Sequence, residues 1–403
     1  MADFHQTGSV ATLHRLVGYD YDEVERRLIQ FSQARRITLI LPSLFSELEG
    51  PALADIVGHL KDVPYLDQIV IGLDQASRDQ FEFAKQYFSA LPQDHVVIWN
   101  DGPNMRAVQK RIANAGLSTG EPGKGRNVWY CLGYVLAAQR ADVVALHDCD
   151  ILTYSRELLG RLVYPVVDPS FSYLFCKGYY PRIANGHLNG RVSRLLVTPL
   201  LNALSKTVGN DEYIDYLNGF RYPLAGEFAM RTSIVPDIRI PSDWGLEIGI
   251  LSEVRRNTNI RAICQVDISD AYDHKHQPLS EDDPSRGLSK MSIDITKAII
   301  RKLATDGTVF TSETFRTLKA TYYRCALDVL EMYYNDARMN SLHVDRHKEE
   351  QAIELFAANL IEAGQIFLDN PMETPFVPSW SRVAAADPDV MHQLSQAVMM
   401  DND

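Results

Sequence analysis

Four short apolar runs punctuate the first 150 residues: ITLILP (37–42), QIVIGLD (68–74), HVVIWN (95–100) and DVVALHDCD (142–150). Runs of this length, rich in β-branched residues and bounded by turn or polar residues, read as strands buried on both faces. Stretches of helical spacing separate them. Strands alternating with helices predict an α/β fold with a mostly parallel central sheet flanked by helices. In such sheets ligands gather at the carboxyl ends of the strands, so the residues just after each run carry the most interest.

Elsewhere the pattern differs. Leu13, Leu16, Val17, Val24 and Leu28 recur at roughly helical spacing, so residues 1–35 are expected to form an N-terminal helical segment. Beyond 150 the signal is mixed, with strands expected in SYLFCKGYY (172–180) and AICQVDIS (262–269) and a helix in RVSRLLVTPLLNAL (191–204). After the turn-rich PLSEDDPSRGL (278–288) the chain reads as almost wholly helical. One long helix is expected in 313–334 and another in 349–368, where Ile353, Phe356, Ala357, Leu360 and Ile361 share a stripe. The chain thus divides into 1–35, a sheet domain over 36–290 with halves of about 36–150 and 151–290, and a helical C-terminal extension over 291–403. That extension is expected to pack on the sheet domain or on a second copy in a homodimer. DPDVMHQLSQAVMMDND (387–403) is expected to be a loosely held tail.

Composition narrows the function classes. At ~150 residues per domain, 403 residues suggest two or three domains. Lys plus Arg number 40 against 52 Asp plus Glu, a net charge of −12. So acidic a chain is not expected to bind nucleic acid, which relies on counterion release by basic side chains. Any affinity for phosphate must be local. Five scattered cysteines without a CxxC pair give no disulfide framework. No signal-peptide layout and no apolar run of ~20 residues is present, so a cytoplasmic protein without a membrane partner is expected.

Candidate chemistry follows the strands. Asp148 and Asp150 flank Cys149 directly after the fourth run; in extended chain i and i+2 point the same way. Two carboxylates so placed suit a hard cation such as Mg²⁺ or Mn²⁺ shared with substrate phosphates. The same spacing at Asp20/Asp22, Asp387/Asp389 and Asp401/Asp403 follows no buried strand and reads as solvated charge. Gly123-Lys124-Gly125 precedes a helical run and suits an anion, though a plain turn with an exposed lysine serves equally. Asp74 (in LDQAS, 73–77) and Glu47 (in LPSLFSE, 41–47) each read as a nucleoside ligand or as part of a helix start. Glu227 and Glu247 lie in apolar, glycine-containing stretches, where a carboxylate needs a partner, a metal or a substrate hydroxyl. Gly190-Arg191-Val192-Ser193 opens a helical run and suits a phosphate or carboxylate, or is an ordinary capped start. Asp273-His274-Lys275-His276 offers imidazoles for a metal or merely a solvated loop.

Taken in order, LPSLFSE, LDQAS, GKG, DCD, KGYY (177–180), GRVS, TPLL (198–201), PLAGE (223–227), WGLEIGIL (244–251), QVDI (265–268) and DHKHQPL (273–279) resemble the glucosyl-3-phosphoglycerate synthases. These are retaining glycosyltransferases of the GT-A nucleotide-sugar-binding fold, and the resemblance covers roughly 35–285. More distantly the series is similar to mannosyl-3-phosphoglycerate and mannosylglycerate synthases. The resemblance implies a donor half and an acceptor half, with UDP-glucose as donor and 3-phosphoglycerate as acceptor. It implies donor contacts at Pro42, Leu44, Glu47, Asp74, Ser77, Lys124, Asp148 and Cys149. It implies a divalent ion, Mg²⁺ or Mn²⁺, on Asp148, Asp150 and His274. Leu224 and Glu247 would surround the transferred sugar; Gly190, Arg191 and Ser193 would bind the acceptor phosphate, with Trp244 beside them. Catalysis would rest on Asp150, Glu247, Lys124 and Leu224. Ser193 stands where Thr is frequent, Trp244 where Tyr is usual, and His276 replaces a commoner polar residue and has no role assigned.

Three other readings stay open on sequence grounds. A different donor or acceptor would make the chain a mannosyl-3-phosphoglycerate or glucosylglycerate synthase. A sugar nucleotidyltransferase should carry a glycine-rich loop after the first strand, which LPSLFSELEG lacks. A catalytically silent nucleotide-sugar-binding protein would have no use for Asp148, Asp150 and His274 together.

Overall fold

The computed structural model describes residues 6, 8–16, 18–274, 287–371 and 376–403. Val17, Lys275, His276 and most of PLSEDDPSRGL lie outside the described residues. Among the described residues there are ten strands: β1 (Ala11–Leu13), β2 (Ile37–Leu44), β3 (Leu66–Asp74), β4 (Asp94–Trp99), β5 (Val143–Leu146), β6 (Phe175–Tyr179), β7 (Ile183–Ala184), β8 (His187–Leu188), β9 (Phe228–Arg231) and β10 (Ile263–Asp267). Eight of them form one sheet in the order β1-β10-β6-β9-β5-β2-β3-β4, and β7 with β8 makes a separate small hairpin. In the large sheet β9 runs antiparallel to both its neighbours, β5 and β6, while the other pairings among described residues are parallel.

The buried-run pattern explains this sheet. Alternate residues of a strand point to opposite faces, and both faces are covered. Ile40, Val70, Ile98 and Val144 enter one core, while Leu39, Leu41, Ile69, Ile71 and Ala145 enter the other. The second core is closed by the helices Tyr21–Ser32, Pro51–Leu60, Arg78–Phe88 and Arg156–Val167. The first is closed by Lys124–Ala138 and by the C-terminal helices, including Ser312–Met339 and Arg346–Asp369. The extension therefore packs on the sheet domain. Trp380 stacks on Trp129 with centroids 4.2 Å apart, and each indole N–H donates to a backbone carbonyl of the other's segment. Gly133 makes room for this stack, since a Cβ there would stand 2.0 Å from the Trp380 ring.

Two expectations are corrected. The first 35 residues are not all helical: Ala11–Leu13 adds a parallel edge strand to β10, with the Gln265 amide donating to Thr12 Oγ1 at 2.8 Å. Three residues are too few for a period to show, and Leu13 fits a helix or a strand equally. The helix proper begins after Asp20, whose carboxylate caps Asp22 and Glu23. Nor is 387–403 a loose tail. Val390–Asn402 is a helix with Val390, Leu394 and Val398 buried, and Arg111 pairs with Asp387. The Asn402 amide exchanges two hydrogen bonds with Val97 (3.0 and 2.9 Å), as a neighbouring strand would, and so covers the open edge of β4.

The helix expected over 191–204 is present with a local widening. Val192–Val197 forms a π-turn that runs into the α-helix Thr198–Val208. Pro199 has no N–H to return to the Leu195 carbonyl, and the Tyr322 hydroxyl fills that vacancy at 2.6 Å. π-turns of this kind concentrate where a helix must re-aim side chains, and this one carries Arg194 and Ser193.

Candidate active site

β5 ends at Leu146, and the His147 N–H still bonds the Ile40 carbonyl, so His147 to Asp150 leave the sheet at its carboxyl end. Cys149 is buried, and Asp148 and Asp150 flank it half-buried as the chain turns. Their partners differ. Asp148 pairs with Lys124 (Nζ to Oδ1 2.7 Å), the first residue of the helix Lys124–Ala138. Asp150 lies 3.4 Å from His274 Nδ1. His274 is brought there by an antiparallel bridge to Ile151 and by the Leu152 N–H donating to the Asp273 carbonyl at 2.9 Å.

Lys124 also reaches Glu247 at 3.2 Å, the second residue of the helix Leu246–Asn257. Burial disfavours the Lys124 ammonium, but the carboxylates of Asp148 and Glu247 outweigh it and hold its pKa above the ordinary lysine value. Burial pushes Asp148 up to about 6; Lys124 pulls against that, and Glu227 and Asp150 add to it. For Asp150 burial also opposes the charge, but the hydrogen bond and charge of His274 prevail and its pKa is lowered. Two glycines make this crowding possible. A Cβ on Gly125 would meet the Pro241 carbonyl at 1.9 Å, and one on Gly226 would meet Asp148 Oδ2 at 2.4 Å.

Glu227 is fully buried, and its oxygens accept from the Tyr180 and Tyr272 hydroxyls at 2.6 and 2.5 Å. The two rings stack 3.7 Å apart beneath the site. Lys177 is buried as well, donating to the Ala225 carbonyl, with its pKa lowered by burial to about 8.

A cavity of about 320 Å³ opens between these carboxylates and the π-turn. It brings together Lys124, Asp148, Glu247, Leu224, Trp244 and His274 on one side and Gly190, Arg191 and Ser193 on the other. Gly190 has φ +74°, the left-handed region in which a side chain is strained. Arg191 Nε lies 3.2 Å from Glu349 Oε1, and Arg194 Nη1 lies 2.8 Å from Oε2 of the same carboxylate. Glu349 comes from the C-terminal helix Arg346–Asp369.

Other expected positions stay outside this cavity. Pro42 and Leu44 end β2, in register with Gly72 and Asp74 of β3, and Glu47 follows on the short helix Phe45–Leu48. Asp74 accepts from the Asn100 amide at 2.7 Å, and burial pushes it up to about 6. The helix cap nearby is Ser77, bonded to the Gln80 N–H at 3.3 Å, and not Asp74. The expected three-ligand group of Asp148, Asp150 and His274 is present as a pair, Asp150 with His274, while Asp148 turns to Lys124. Among the described residues no three His, Cys, Asp or Glu side chains converge as a metal-binding group. One carboxylate and one imidazole side by side nevertheless fit a divalent ion whose other ligands are substrate phosphate oxygens and water.

Sequence reasoning missed Arg182, Arg194, Tyr222 and Glu349, all of which line the cavity. Arg194 had a signal, one helical turn after Gly190. Glu349 had none, lying 155 residues from its partner Arg194 in an ordinary amphipathic helix.

No family model matches the chain. It is 44% identical to the glucosyl-3-phosphoglycerate synthase of Persephonella marina, across 100% of this chain and 99% of that protein. It is 37% identical to the glucosyl-3-phosphoglycerate synthase of Methanococcoides burtonii, across 99% and 98%. Among solved structures it is similar to the glucosyl-3-phosphoglycerate synthase of Mycobacterium tuberculosis in complex with Mn²⁺ and UDP-glucose, with a TM-score of 0.54 at 21% identity over 74% of this chain and 88% of that one. That structural likeness carries the GT-A type of fold. No helix among the described residues is long and apolar enough to cross a membrane. With near-complete coverage at 44% identity, the chain belongs to the glucosyl-3-phosphoglycerate synthase family of glycosyltransferases.

Proposed function

We propose that this enzyme moves glucose from UDP-glucose to 3-phosphoglycerate with retention of configuration, in a reaction that needs Mg²⁺ or Mn²⁺. The observation that carries this reading is the division of one cavity into a carboxylate-rich wall around Lys124 and an arginine wall at Gly190-Arg191-Ser193. Structures of the mycobacterial neighbour hold Mn²⁺, UDP-glucose and phosphoglyceric acid together, and another holds Mg²⁺ and UDP.

In this reading the uridine lies along the ends of β2 and β3, against Pro42, Leu44, Glu47, Asp74, Ser77 and Cys149. A divalent ion on Asp150 and His274, with Asp148 beside them, supplies positive charge against the departing diphosphate. Lys124, already cationic, swings from Asp148 toward that diphosphate without any change of protonation. Glu247 accepts hydrogen bonds from the sugar hydroxyls while Leu224 packs on the ring. Arg191, Ser193 and the Gly190 backbone hold the acceptor phosphate, and Trp244 closes the side. Holding the acceptor hydroxyl against the anomeric carbon supplies much of the rate. Retention requires a covalent intermediate or attack from the same face. Glu227 has both oxygens engaged by tyrosines and Glu247 is bound to Lys124, which supports same-face attack.

The test crosses UDP-glucose, ADP-glucose and GDP-mannose with 3-phosphoglycerate and glycerate, in Mg²⁺, Mn²⁺ or chelator, following release of the nucleoside diphosphate. Release with UDP-glucose and 3-phosphoglycerate, abolished by chelator, is the expected result. Preference for GDP-mannose or for glycerate would reassign the donor or acceptor, and no release in any metal-containing mixture would leave a binding protein only. A glycosyl-enzyme trapped on Glu247 or Glu227 would replace same-face attack by double displacement.

A further inference from the structure

Three guanidiniums line the cavity, and they differ in how their charge is met. Arg191 and Arg194 share the Glu349 carboxylate. Arg182 is 9% exposed, and no carboxylate pairs with it among the described residues. Its Nη1 donates to the Tyr222 hydroxyl at 3.3 Å, its guanidinium lies 5.8 Å from the Tyr272 ring centroid, and its buried Nε has no partner among the described residues.

The backbone, not a counter-ion, sets this side chain in place. Arg182 immediately precedes the β7–β8 hairpin, and the Asn189 N–H donates to its carbonyl at 2.7 Å, closing the hairpin back on it. The next residue, Gly190, packs against its stem: a Cβ there would stand 3.1 Å from Arg182 Cγ. Arg182 and the phosphate-loop residues are thus fixed to one another. A guanidinium this deeply buried without a counter-charge is unfavourable until an anion meets it.

3-Phosphoglycerate carries two anionic groups, and the Gly190-Arg191-Ser193 loop accounts for one. We infer that Arg182 binds the acceptor's carboxylate, making the site specific for a phosphorylated acid over a phosphorylated alcohol. This rests on the acceptor reading proposed above. The planar fork of an arginine matches a carboxylate edge through two parallel N–H donors. With Nη1 partly held by Tyr222, the buried Nε is the donor left to be met.

The experiment is titration calorimetry on the protein saturated with UDP and Mn²⁺, comparing 3-phosphoglycerate with glycerol 3-phosphate, which lacks only the carboxylate charge. The wild type is expected to bind 3-phosphoglycerate at least about 10-fold more tightly. Arg182→Gln should weaken 3-phosphoglycerate by about 10- to 100-fold and glycerol 3-phosphate by no more than about 2-fold, so that the ratio falls toward one. If glycerol 3-phosphate binds below detection, that limit bounds the ratio, and the variant's 3-phosphoglycerate affinity must fall toward it. Arg182→Lys, which keeps the charge without the fork, should fall between and carries the test if the glutamine variant melts early. Equal losses for both ligands, an unchanged 3-phosphoglycerate affinity, or a wild type that binds both alike would each overturn the assignment. A wild type that binds neither ligand would instead defeat the acceptor reading itself.

Discussion

The two walls of the cavity are near-inverses in charge. On one, Lys124 sits among carboxylates: it lies within 3.2 Å of both Asp148 and Glu247, with Asp150, Glu227 and the buried Lys177 behind. On the other, among the described residues, one carboxylate, Glu349, serves two guanidiniums while a third, Arg182, goes without. The acidic wall is built where the sheet domain's strands end; the basic wall needs a residue from the C-terminal extension. Each minority charge is a placeholder. Lys124 keeps the carboxylates compatible until a cation and a diphosphate arrive, and Glu349 keeps the guanidiniums compatible until an anion does.

The largest expected effect breaks the acidic wall alone. Asp150→Ala removes the carboxylate beside His274 and should lower kcat by at least about 1000-fold, roughly 4 kcal/mol of barrier, with the melting temperature nearly unchanged. Steady-state UDP release and a thermal melt decide this. A loss under about 10-fold would mean that the ion is held elsewhere.

Next comes the basic wall's own placeholder. Glu349→Ala leaves Arg191 and Arg194 facing one another in a buried site, and removing one partner of a buried pair costs about 3 kcal/mol or more. Urea denaturation should read that loss in the free protein. Inorganic phosphate or 3-phosphoglycerate should restore a good part of it, because an added anion can stand where Glu349 stood. A loss that neither anion repairs would make Glu349 a packing residue rather than a charge placeholder.

How far this asymmetry was legible beforehand follows from where each wall's residues sit in the chain. The acidic wall lies just after buried strands, and such strands announce themselves as apolar runs; Asp148 and Asp150 follow one directly, and His274 shortly follows another. The arginine loop showed through Gly190 and the helical run behind it. Glu349 could not show, because an acidic residue on an amphipathic helix is ordinary until folding brings it to Arg194. Arg182 lies in KGYYPR, where nothing local distinguishes a buried arginine from a solvated one. β1 was hidden by its length, and the C-terminal helix by its place at the end of the chain, where a loose tail is the ordinary expectation although Val390, Leu394, Ala397 and Val398 recur at helical spacing.

A smaller effect tests the stem of the acidic wall. His147 is buried between the strand and Asp148, with Nδ1 3.1 Å from the Tyr154 hydroxyl and Nε2 unpartnered among the described residues. Burial lowers its pKa to about 4, against an ordinary 6.5. The folded state therefore resists a proton that the unfolded chain accepts below 6.5. Its contribution is complete above that pH and is lost as pH falls toward 4, by about 3 kcal/mol in all. His147→Gln should flatten the stability profile between pH 6.5 and 4 relative to the wild type. Parallel profiles would mean that His147 titrates normally.

The smallest effect separates binding from chemistry. Arg191 shares Glu349 with Arg194, so Arg191→Ala leaves the carboxylate one partner and should fold normally. What it removes is one charged contact to the acceptor phosphate, worth roughly 1.5 to 3 kcal/mol. The KM for 3-phosphoglycerate should then rise about 10- to 100-fold, while kcat and the KM for UDP-glucose change little, because the contact is made equally before and during transfer. Arg194 sharpens the point. It is 5% exposed and also bonds the Asn189 carbonyl, so Arg194→Ala should cost stability and disturb the loop, raising the same KM only through lost order. If the two substitutions give the same pattern, with equal losses of stability, the arginine wall is a structural cluster. If Arg191→Ala alone shifts KM without a change in melting, the wall divides into one residue that meets the ligand and one that holds the turn.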